Sequence, residues 1–177
     1  IFANKMDKTG ADFYMCLADI KEKLGARAVP LQLPIGSESN FKGLIDLLRM
    51  KAVVWDGDGK DATFAEQPIP ADLVEKAKEF RTAMIWAAVE MDEAVAEKFM
   101  SDEQEPDVAT LKRLIRKATI TRAFYPMLCG SAFKHKGVQQ LLDAVVDFLP
   151  APSDRQAYVG IDVRTGGEAK RRPVDDE

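Results

Sequence analysis

The sequence predicts an α/β fold into which an α+β segment is inserted. Two stretches, residues 1–24 and 124–149, each run from a short apolar strand through a polar loop into an amphipathic helix. That order is typical of α/β units. The pattern between them predicts strands first and helices afterwards. The length of 177 residues suits one domain, or one domain with a subdomain.

The first α/β unit begins with the apolar strand end Ile1-Phe2-Ala3 and a polar, turn-like segment at residues 4–10. Residues 12–24 predict a helix because apolar side chains recur at steps of three and four. Gly25 is typical of the residue that ends such a helix. The apolar positions are Phe13, Cys16, Leu17, Ile20 and Leu24.

Strands are predicted next along the chain. Residues 28–35 alternate apolar and polar positions, which predicts one half-buried strand. Residues 41–55 are apolar and branched, with a break at Gly43, and predict one or two strands. The Asp-Gly-Asp-Gly run at residues 56–59 is a strong hairpin-turn signal, and residues 62–69 predict the following strand.

Two helices are expected to complete the inserted segment. Residues 72–100 predict a long amphipathic helix, with one break near Met91 and Asp92. Residues 108–118 predict the second helix, after an acidic loop. Its exposed side is expected to be a solvated basic face. The basic residues are Lys112, Arg113, Arg116 and Lys117.

The second α/β unit starts with a short apolar strand at residues 124–129 that enters a loop at Gly130. Residues 137–149 predict a helix that ends before Pro150. Its inward side chains are expected to be Val138, Leu141, Leu142, Val145 and Phe148. Residues 151–177 are polar, with one predicted strand at 157–163, and are expected to be a linker or the start of another domain.

Composition and charge argue against several classes of protein. Hydrophobic residues make up 46% of the chain, enough for a packed core, so extensive disorder is not expected. A net charge of −4 argues against a protein that coats nucleic acid, because such proteins are usually basic. No apolar run is long enough for a transmembrane helix. The two cysteines form no metal-ligand pattern and suit a reduced, cytoplasmic setting.

The loop after the first strand carries the motif Asn4-Lys5-Met6-Asp7. Guanine presents N1–H and an exocyclic NH₂ side by side, and one carboxylate, that of Asp7, can accept both hydrogen bonds. Adenine lacks this donor pair and would leave the carboxylate unpaired, which is costly. The Asn4 amide can reach N7 and tie neighbouring loops together, and the Lys5 stem can lie along the base. The alternative interpretation is a polar turn after a strand.

The loop after the last strand of the second unit carries Ser131-Ala132-Phe133, in the same strand–loop–helix context. The Ala132 N–H can face guanine O6, where adenine would present an NH₂ group instead. The Ser131 hydroxyl can brace the Asp7 carboxylate. A Gly-Ser-Ala tripeptide alone indicates little, but paired with the first motif it indicates a guanine site.

These motifs make the chain similar to bacterial translation elongation factor G over nearly its whole length. Most GTPases place the two guanine loops a few dozen residues apart, whereas Asp7 and Ser131 are 124 residues apart. In elongation factor G that gap holds an inserted α+β subdomain. The matching segments lie at residues 4–7, 10–13, 29–36, 41–43, 45–47, 49–52, 117–120, 129–134 and 137–139.

The resemblance implies the C-terminal part of a P-loop GTPase domain with an inserted α+β subdomain of mixed or antiparallel sheet and two helices. The implied divisions are 1–33 and 123–150 for the GTP-binding domain, 34–122 for the insert, and 151–177 for a linker or the start of the next domain. The guanine-binding residues carried over are Asn4, Lys5, Asp7, Ser131, Ala132 and Phe133.

The resemblance further implies a cytoplasmic ribosomal translocase that hydrolyses GTP while tRNA and mRNA move. In that family the phosphates and Mg²⁺ are held by segments that precede the first guanine loop. The chain has no Gly-x-x-x-x-Gly-Lys-Ser/Thr phosphate loop. Together with the missing initiator Met, this predicts an internal fragment that carries no catalytic residues or metal ligands and does not hydrolyse GTP alone.

The resemblance also implies partners. The ribosome is the expected partner of the parent protein, and the inserted subdomain is expected to contact the acidic stalk protein. Two alternatives stay open. The chain can be a non-enzymatic docking module for that stalk protein, or part of a related translational GTPase, either a ribosome-protection protein or a class II release-factor GTPase.

Overall fold

The strands form three sheets in the computed structural model, which describes residues 1–57, 63–102, 104–154 and 157–173. The strands are β1 (Phe2–Ala3), β2 (Ala28–Pro30), β3 (Gln32–Ile35), β4 (Gly43–Asp46), β5 (Lys51–Asp56), β6 (Thr63–Gln67), β7 (Tyr125–Cys129), β8 (Tyr158–Ile161) and β9 (Glu168–Arg171). The α-helices are α1 (Phe13–Leu24), α2 (Val74–Val89), α3 (Glu93–Asp102), α4 (Val108–Thr121) and α5 (Val138–Phe148).

The α/β half is built on a parallel sheet in the order β1-β7-β2. Strand β1 pairs with the end of β7, so that Ala3 lies opposite Cys129. Parallel strands end at the same edge of a sheet, and each is followed by a crossover rather than a tight turn. The loops that follow β1 and β7 therefore meet at one edge of the sheet, although the whole predicted insert lies between them in the sequence.

Strand β2 and strand β3 replace the single strand predicted at residues 28–35, so that prediction was wrong. β2 pairs with β7 in the parallel sheet, whereas β3 pairs with β4 in an antiparallel one. Leu31 joins the two sheets, because its N–H donates to Met127 O at 2.9 Å and its carbonyl accepts from Leu47 N–H at 3.0 Å. Residues 29–33 are all buried, so the apolar and polar alternation of the sequence does not correspond to one buried and one exposed face.

The predicted insert supplies most of an antiparallel sheet in the order β3-β4-β5-β6, whose first strand begins at Gln32, before the predicted start of the insert at residue 34. Residues 41–55 give two strands, one of the two outcomes predicted. The turn between them is held by Asp46, whose carboxylate accepts from Leu48 N–H at 2.8 Å and also pairs with the Arg49 side chain. β5 and β6 pair as a hairpin, but residues 58–59 of its predicted turn lie outside the described residues.

Three helices, rather than two, follow the sheet of the insert. The predicted break near Met91 and Asp92 is confirmed, and it separates α2 from α3 completely. Asp92 stands at the break, and its Oδ1 accepts from Val95 N–H at 3.4 Å in the first turn of α3. α4 begins after Asp107, whose carboxylate accepts from Thr110 N–H at 2.6 Å in the manner of an N-cap.

A continuous hydrophobic core joins the α/β half to the insert. The buried side chains come from α1, the strands of both large sheets, α2, α4 and α5. A shared core fixes the position of one part against the other. Its largest fully buried members include Phe13, Leu33, Met84, Leu114 and Phe124.

The basic side chains of α4 lie on its exposed side as expected, with those of Lys112 and Arg113 44% and 55% exposed. They also contact neighbouring elements: Lys112 pairs with Asp147 at 2.6 Å, and Arg113 pairs with Asp92 at 3.1 Å. Arg116 donates to the carbonyls of Asp147 and Leu149 at the end of α5 and also pairs with Asp154. The contacts of Arg116 fasten the insert to α5, because cations are stabilised at the carbonyl-rich end of a helix.

The inward face predicted for α5 is only partly correct. Phe148 is buried, but Leu142 is 60% exposed and Val145 is also exposed. α5 has apolar side chains on more than one side, and its packing against α4 buries only one of them. Helical periodicity identifies an apolar stripe but does not say which side a neighbouring element covers.

The remaining elements lie beyond α5. The strand predicted at residues 157–163 is found as β8, which pairs with β9 in a hairpin. In the described ranges, no helix combines the length and apolar character needed to cross a membrane.

Candidate guanine-binding site

The first predicted loop leaves β1 in a tight turn. Asn4 Oδ1 accepts from the N–H of Lys5 at 2.8 Å, and Lys5 itself has a left-handed backbone with φ of 62°. Lys8 N–H then donates to Lys5 O at 3.0 Å, which closes the turn. The side chains at 4 and 7 thereby project from a fixed backbone rather than from a flexible one.

The second predicted loop is closed by its own backbone. Ser131 N–H donates to Lys136 O at 2.9 Å, and Lys136 N–H donates back to Ser131 O at 3.0 Å. Gly137 follows with φ of 83° and begins α5. A Cβ at this glycine would lie 2.7 Å from Cys129 O, so the close return of the loop to β7 requires glycine.

The structure brings the two loops into direct contact. Ser131 Oγ donates to Asp7 Oδ1 at 2.6 Å, and Ala132 N–H donates to Asn4 Oδ1 at 3.0 Å. The backbones are joined as well, because Met6 N–H donates to Gly130 O at 3.1 Å. Together with the bond from Lys5 N–H to Asn4 Oδ1, this places five of the six predicted site residues in one cluster of hydrogen bonds.

The Asp7 carboxylate is buried and charged. Its side chain is only 3% exposed. The Ser131 hydroxyl donates to it and lowers the pKa of Asp7; burial opposes this shift, while Lys8 and Lys134 add to it. An ionised carboxylate has more lone pairs than Ser131 occupies, so Asp7 can accept further N–H donors from a ligand.

Lys5 and Phe133 lie at the exposed side of the cluster. Phe133 is 85% exposed, and Lys8 Nζ lies 5.8 Å from the centroid of its ring. An exposed phenyl ring beside a polar cluster offers apolar surface to a flat ligand. Their roles in binding a base stay predictions.

The Ala132 amide has a different partner from the one that the sequence predicts. Its N–H donates to Asn4 Oδ1. To contact guanine O6, this N–H must donate to both oxygens at once or leave Asn4. The same bond ties Asn4 to the second loop, as expected of an amide that links neighbouring loops. The O6 contact therefore stays a prediction.

Sequence reasoning missed Lys8 and Glu38, which both contact the site. Lys8 Nζ lies 3.6 Å from Asp7 Oδ2. The Glu38 carboxylate accepts from Gly10 N–H at 2.7 Å, and the Glu38 N–H donates to Met6 O at 2.9 Å. Glu38 belongs to the insert, and no spacing rule connects it to the first loop. The one unusual signal is a left-handed backbone, with φ of 53°, which the sequence alone does not reveal.

Elsewhere in the part of the chain that the structure describes, no second centre of this kind is found. A groove of about 390 Å³ lies between α4, α5 and the turn after β4, and the guanine-loop residues do not line it. Among the residues that the structure describes, no three His, Cys, Asp or Glu side chains form a cluster that could hold a metal ion.

Replacing Ser131 with alanine should raise the pKa of Asp7 towards its ordinary value of 3.8, because the main cause of the lowered pKa is removed. A lowered folded-state pKa means that ionised Asp7 stabilises the fold above its unfolded pKa, and this contribution is lost as the pH falls through the folded pKa. The variant should therefore be about 1–2 kcal/mol less stable near neutral pH.

The measurement is urea unfolding of both proteins from about pH 7 down to about pH 3, with Asp7 followed by carboxyl NMR. The stability difference should shrink at the acid end. Ser39→Ala, which removes the same hydroxyl outside the hydrogen-bond cluster, is the control. A stability difference that does not change with pH contradicts the assignment.

A family model and a sequence relative both identify this chain as a translational GTP-binding domain. Residues 1–151 match the family described as the elongation factor Tu GTP binding domain. The chain is 62% identical over all 177 residues to elongation factor G of Rhodopseudomonas palustris (strain BisB18). It spans a quarter of that relative's length.

A solved structure agrees with the fold. A crystal structure of a protein from Thermus thermophilus superposes with a TM-score of 0.74 and 26% identity, over 96% of this chain and 26% of that one. The family match covers both predicted guanine loops and the predicted insert between them, since all three lie within residues 1–151. The chain belongs to the elongation factor Tu GTP-binding domain family.

Proposed function

We propose that the chain forms the guanine-recognition part of the nucleotide site of a translational GTPase. The observation that carries the proposal is the hydrogen bond from Ser131 to Asp7, which joins two loops 124 residues apart around a buried carboxylate. The similarity to elongation factor G supports the same assignment.

The chemistry of the cluster explains selectivity. Asp7 is ionised and buried, so it accepts the paired N1–H and NH₂ donors of guanine while Ser131 keeps it oriented. Adenine offers no donor at N1 and would leave a buried carboxylate without partners. Asn4 supplies an amide for N7, and the Lys5 stem and the Phe133 ring supply apolar surface for the base.

The parent protein is proposed to be a ribosomal translocase that hydrolyses GTP in the cytoplasm, with the ribosome as partner and tRNA and mRNA as cargo. GTP would bring Mg²⁺ with it. We assign no catalytic step to this chain, because its sequence contains no Gly-x-x-x-x-Gly-Lys-Ser/Thr loop to hold the phosphates. Its contribution is to bind and orient the base, and we expect no GTP turnover by the chain alone.

The direct test is a calorimetric titration of the chain with GDP and, separately, with ADP. GDP should bind measurably, and ADP should bind at least about a hundredfold more weakly, because its base leaves the Asp7 carboxylate unpaired. Heat-unfolded chain is the control for nonspecific heats. Equal affinity for the two nucleotides contradicts the proposal, and so does tighter binding of ADP.

The insert supports a second role, docking to the ribosomal stalk protein. Trp86 on α2 is 46% exposed and stacks edge-on with Phe99 of α3, with ring centroids 5.0 Å apart, and Met100 beside them is also exposed. Exposed apolar side chains grouped in this way are typical of protein interaction surfaces. This surface is distant in sequence from both guanine loops.

Docking and nucleotide binding are separable by mutation. Stalk protein should bind the chain, and Trp86→Ala should weaken binding by about tenfold, since exposed tryptophans often dominate protein interfaces. Asp7→Ala should leave stalk binding unchanged. Two results would contradict this placement of the docking surface: a loss of stalk binding in Asp7→Ala, or unchanged stalk binding in Trp86→Ala.

A further inference from the structure

We propose that Glu38, at the start of the insert, is a positioning residue that holds the first guanine loop in the shape needed for base recognition. The inference rests on the proposed function of that loop. It assigns to the insert a direct part in nucleotide specificity, through a residue that lies 31 positions after Asp7 in sequence and outside both guanine motifs.

Glu38 holds the loop at two points. It lies in a 3-10 turn, Glu38–Asn40, just after β3. Its backbone N–H donates to Met6 O at 2.9 Å, and its carboxylate accepts from Gly10 N–H at 2.7 Å. These two contacts lie on either side of Asp7, so they fix the backbone from which the base-binding carboxylate projects.

The peptide of Met6 is held from both directions. Its carbonyl accepts from Glu38 of the insert, and its N–H donates to Gly130 O at the start of the second loop. The Met6 side chain is buried in the core. Asp7 follows directly, so its approach to Ser131 depends on both of these backbone contacts.

The turn that presents Glu38 is strained, which argues for a specific role. Glu38 has φ of 53°, a region that favours glycine, and Gly36 has φ of 76°. A Cβ at Gly36 would lie 2.0 Å from Asn40 O, so the turn is tight enough to require glycine there. Strain of this kind persists where neighbouring contacts over-determine the backbone, and it clusters at ligand-binding sites.

Two variants separate the carboxylate from the backbone. Glu38→Gly fits the left-handed conformation but removes the acceptor for Gly10 N–H, whereas Glu38→Gln keeps an acceptor oxygen. Arg122→Gly is the matched control, because Arg122 also has a left-handed backbone, with φ of 61°, and is exposed at the end of α4. All three changes are made in the complete 177-residue chain.

The first measurement needs no nucleotide. The Asp7 carboxyl is titrated by NMR, and Glu38→Gly should raise its pKa because the carboxylate is no longer held against Ser131. Glu38→Gln and Arg122→Gly should leave that pKa where it is in the unmodified chain. An unchanged Asp7 pKa in Glu38→Gly overturns the proposal.

The second measurement compares GDP with inosine diphosphate, whose base lacks the exocyclic NH₂ group. Glu38→Gly should weaken GDP binding about tenfold and inosine diphosphate binding less, so the preference between them falls. Glu38→Gln should keep the preference for GDP that the unmodified chain shows. Equal loss for both ligands indicates a merely structural role and overturns the inference. Failure of the unmodified chain to bind GDP contradicts the proposed function, while the Asp7 titration still decides the role of Glu38.

Discussion

Asp7→Asn should exchange guanine specificity for xanthine specificity. Asparagine keeps one acceptor for N1–H, but its NH₂ group faces the guanine NH₂, donor against donor. Xanthine has a carbonyl at that position, which can accept from the asparagine NH₂. GDP affinity should fall by about a hundredfold, roughly 3 kcal/mol, and xanthosine diphosphate should become the preferred ligand.

The exchange depends on geometry that the structure shows. Ser131 Oγ donates to Oδ1 of residue 7, and an asparagine oxygen can accept the same bond, so the side chain should keep its orientation. The measurement is competition between the two diphosphates on both proteins. Asp7→Ala is the control, since it should lose GDP without gaining xanthosine diphosphate. If the asparagine variant loses GDP and does not gain xanthosine diphosphate, residue 7 does not contact the base as proposed.

Phe124→Ala should produce the largest loss of stability. Phe124 is fully buried directly before β7, where the chain leaves α4 through Arg122 and Ala123. Removing a buried phenyl ring leaves a cavity in the shared core and typically costs about 3–5 kcal/mol. The free energy of unfolding of a domain is about 5–15 kcal/mol in total. The substitution should therefore remove a large part of that stability.

Urea unfolding followed by circular dichroism measures this loss. Phe133→Ala is the matched control, because the same side chain is removed from a position that is 85% exposed, and its stability should change by less than about 0.5 kcal/mol. The pair therefore separates burial from residue type. Similar losses of stability in the two variants would show that burial of the Phe124 ring in the core does not stabilise the fold.

Local patterns predicted most of the secondary structure correctly. The helix at 12–24 begins at Phe13 and is followed by Gly25 in a left-handed conformation, and the break near Met91 is present. Apolar spacing and breaker residues act within a few positions, so they are visible in the sequence. The predicted strand at 28–35 failed because the chain passes between two sheets at Leu31 without losing its alternation.

Predictions about which surface is covered were less successful. The spacing of Leu142 and Val145 does not distinguish an inward from an outward apolar side, and the structure leaves both exposed. Arg116 looked like part of a solvated face but binds the carbonyls at the end of α5. Neither outcome follows from a helical repeat, because each depends on which neighbouring element packs there.

By itself, the sequence determined the chemistry of the two loops: a carboxylate, an amide and a hydroxyl in strand–loop–helix settings. Only the tertiary structure decided that they come together in one cluster of hydrogen bonds. The parallel pairing of β1 with β7 places both loops at one edge, and Glu38 reaches them from the insert. Local patterns cannot encode such contacts, because the free energy that stabilises them comes from packing between segments far apart in the chain.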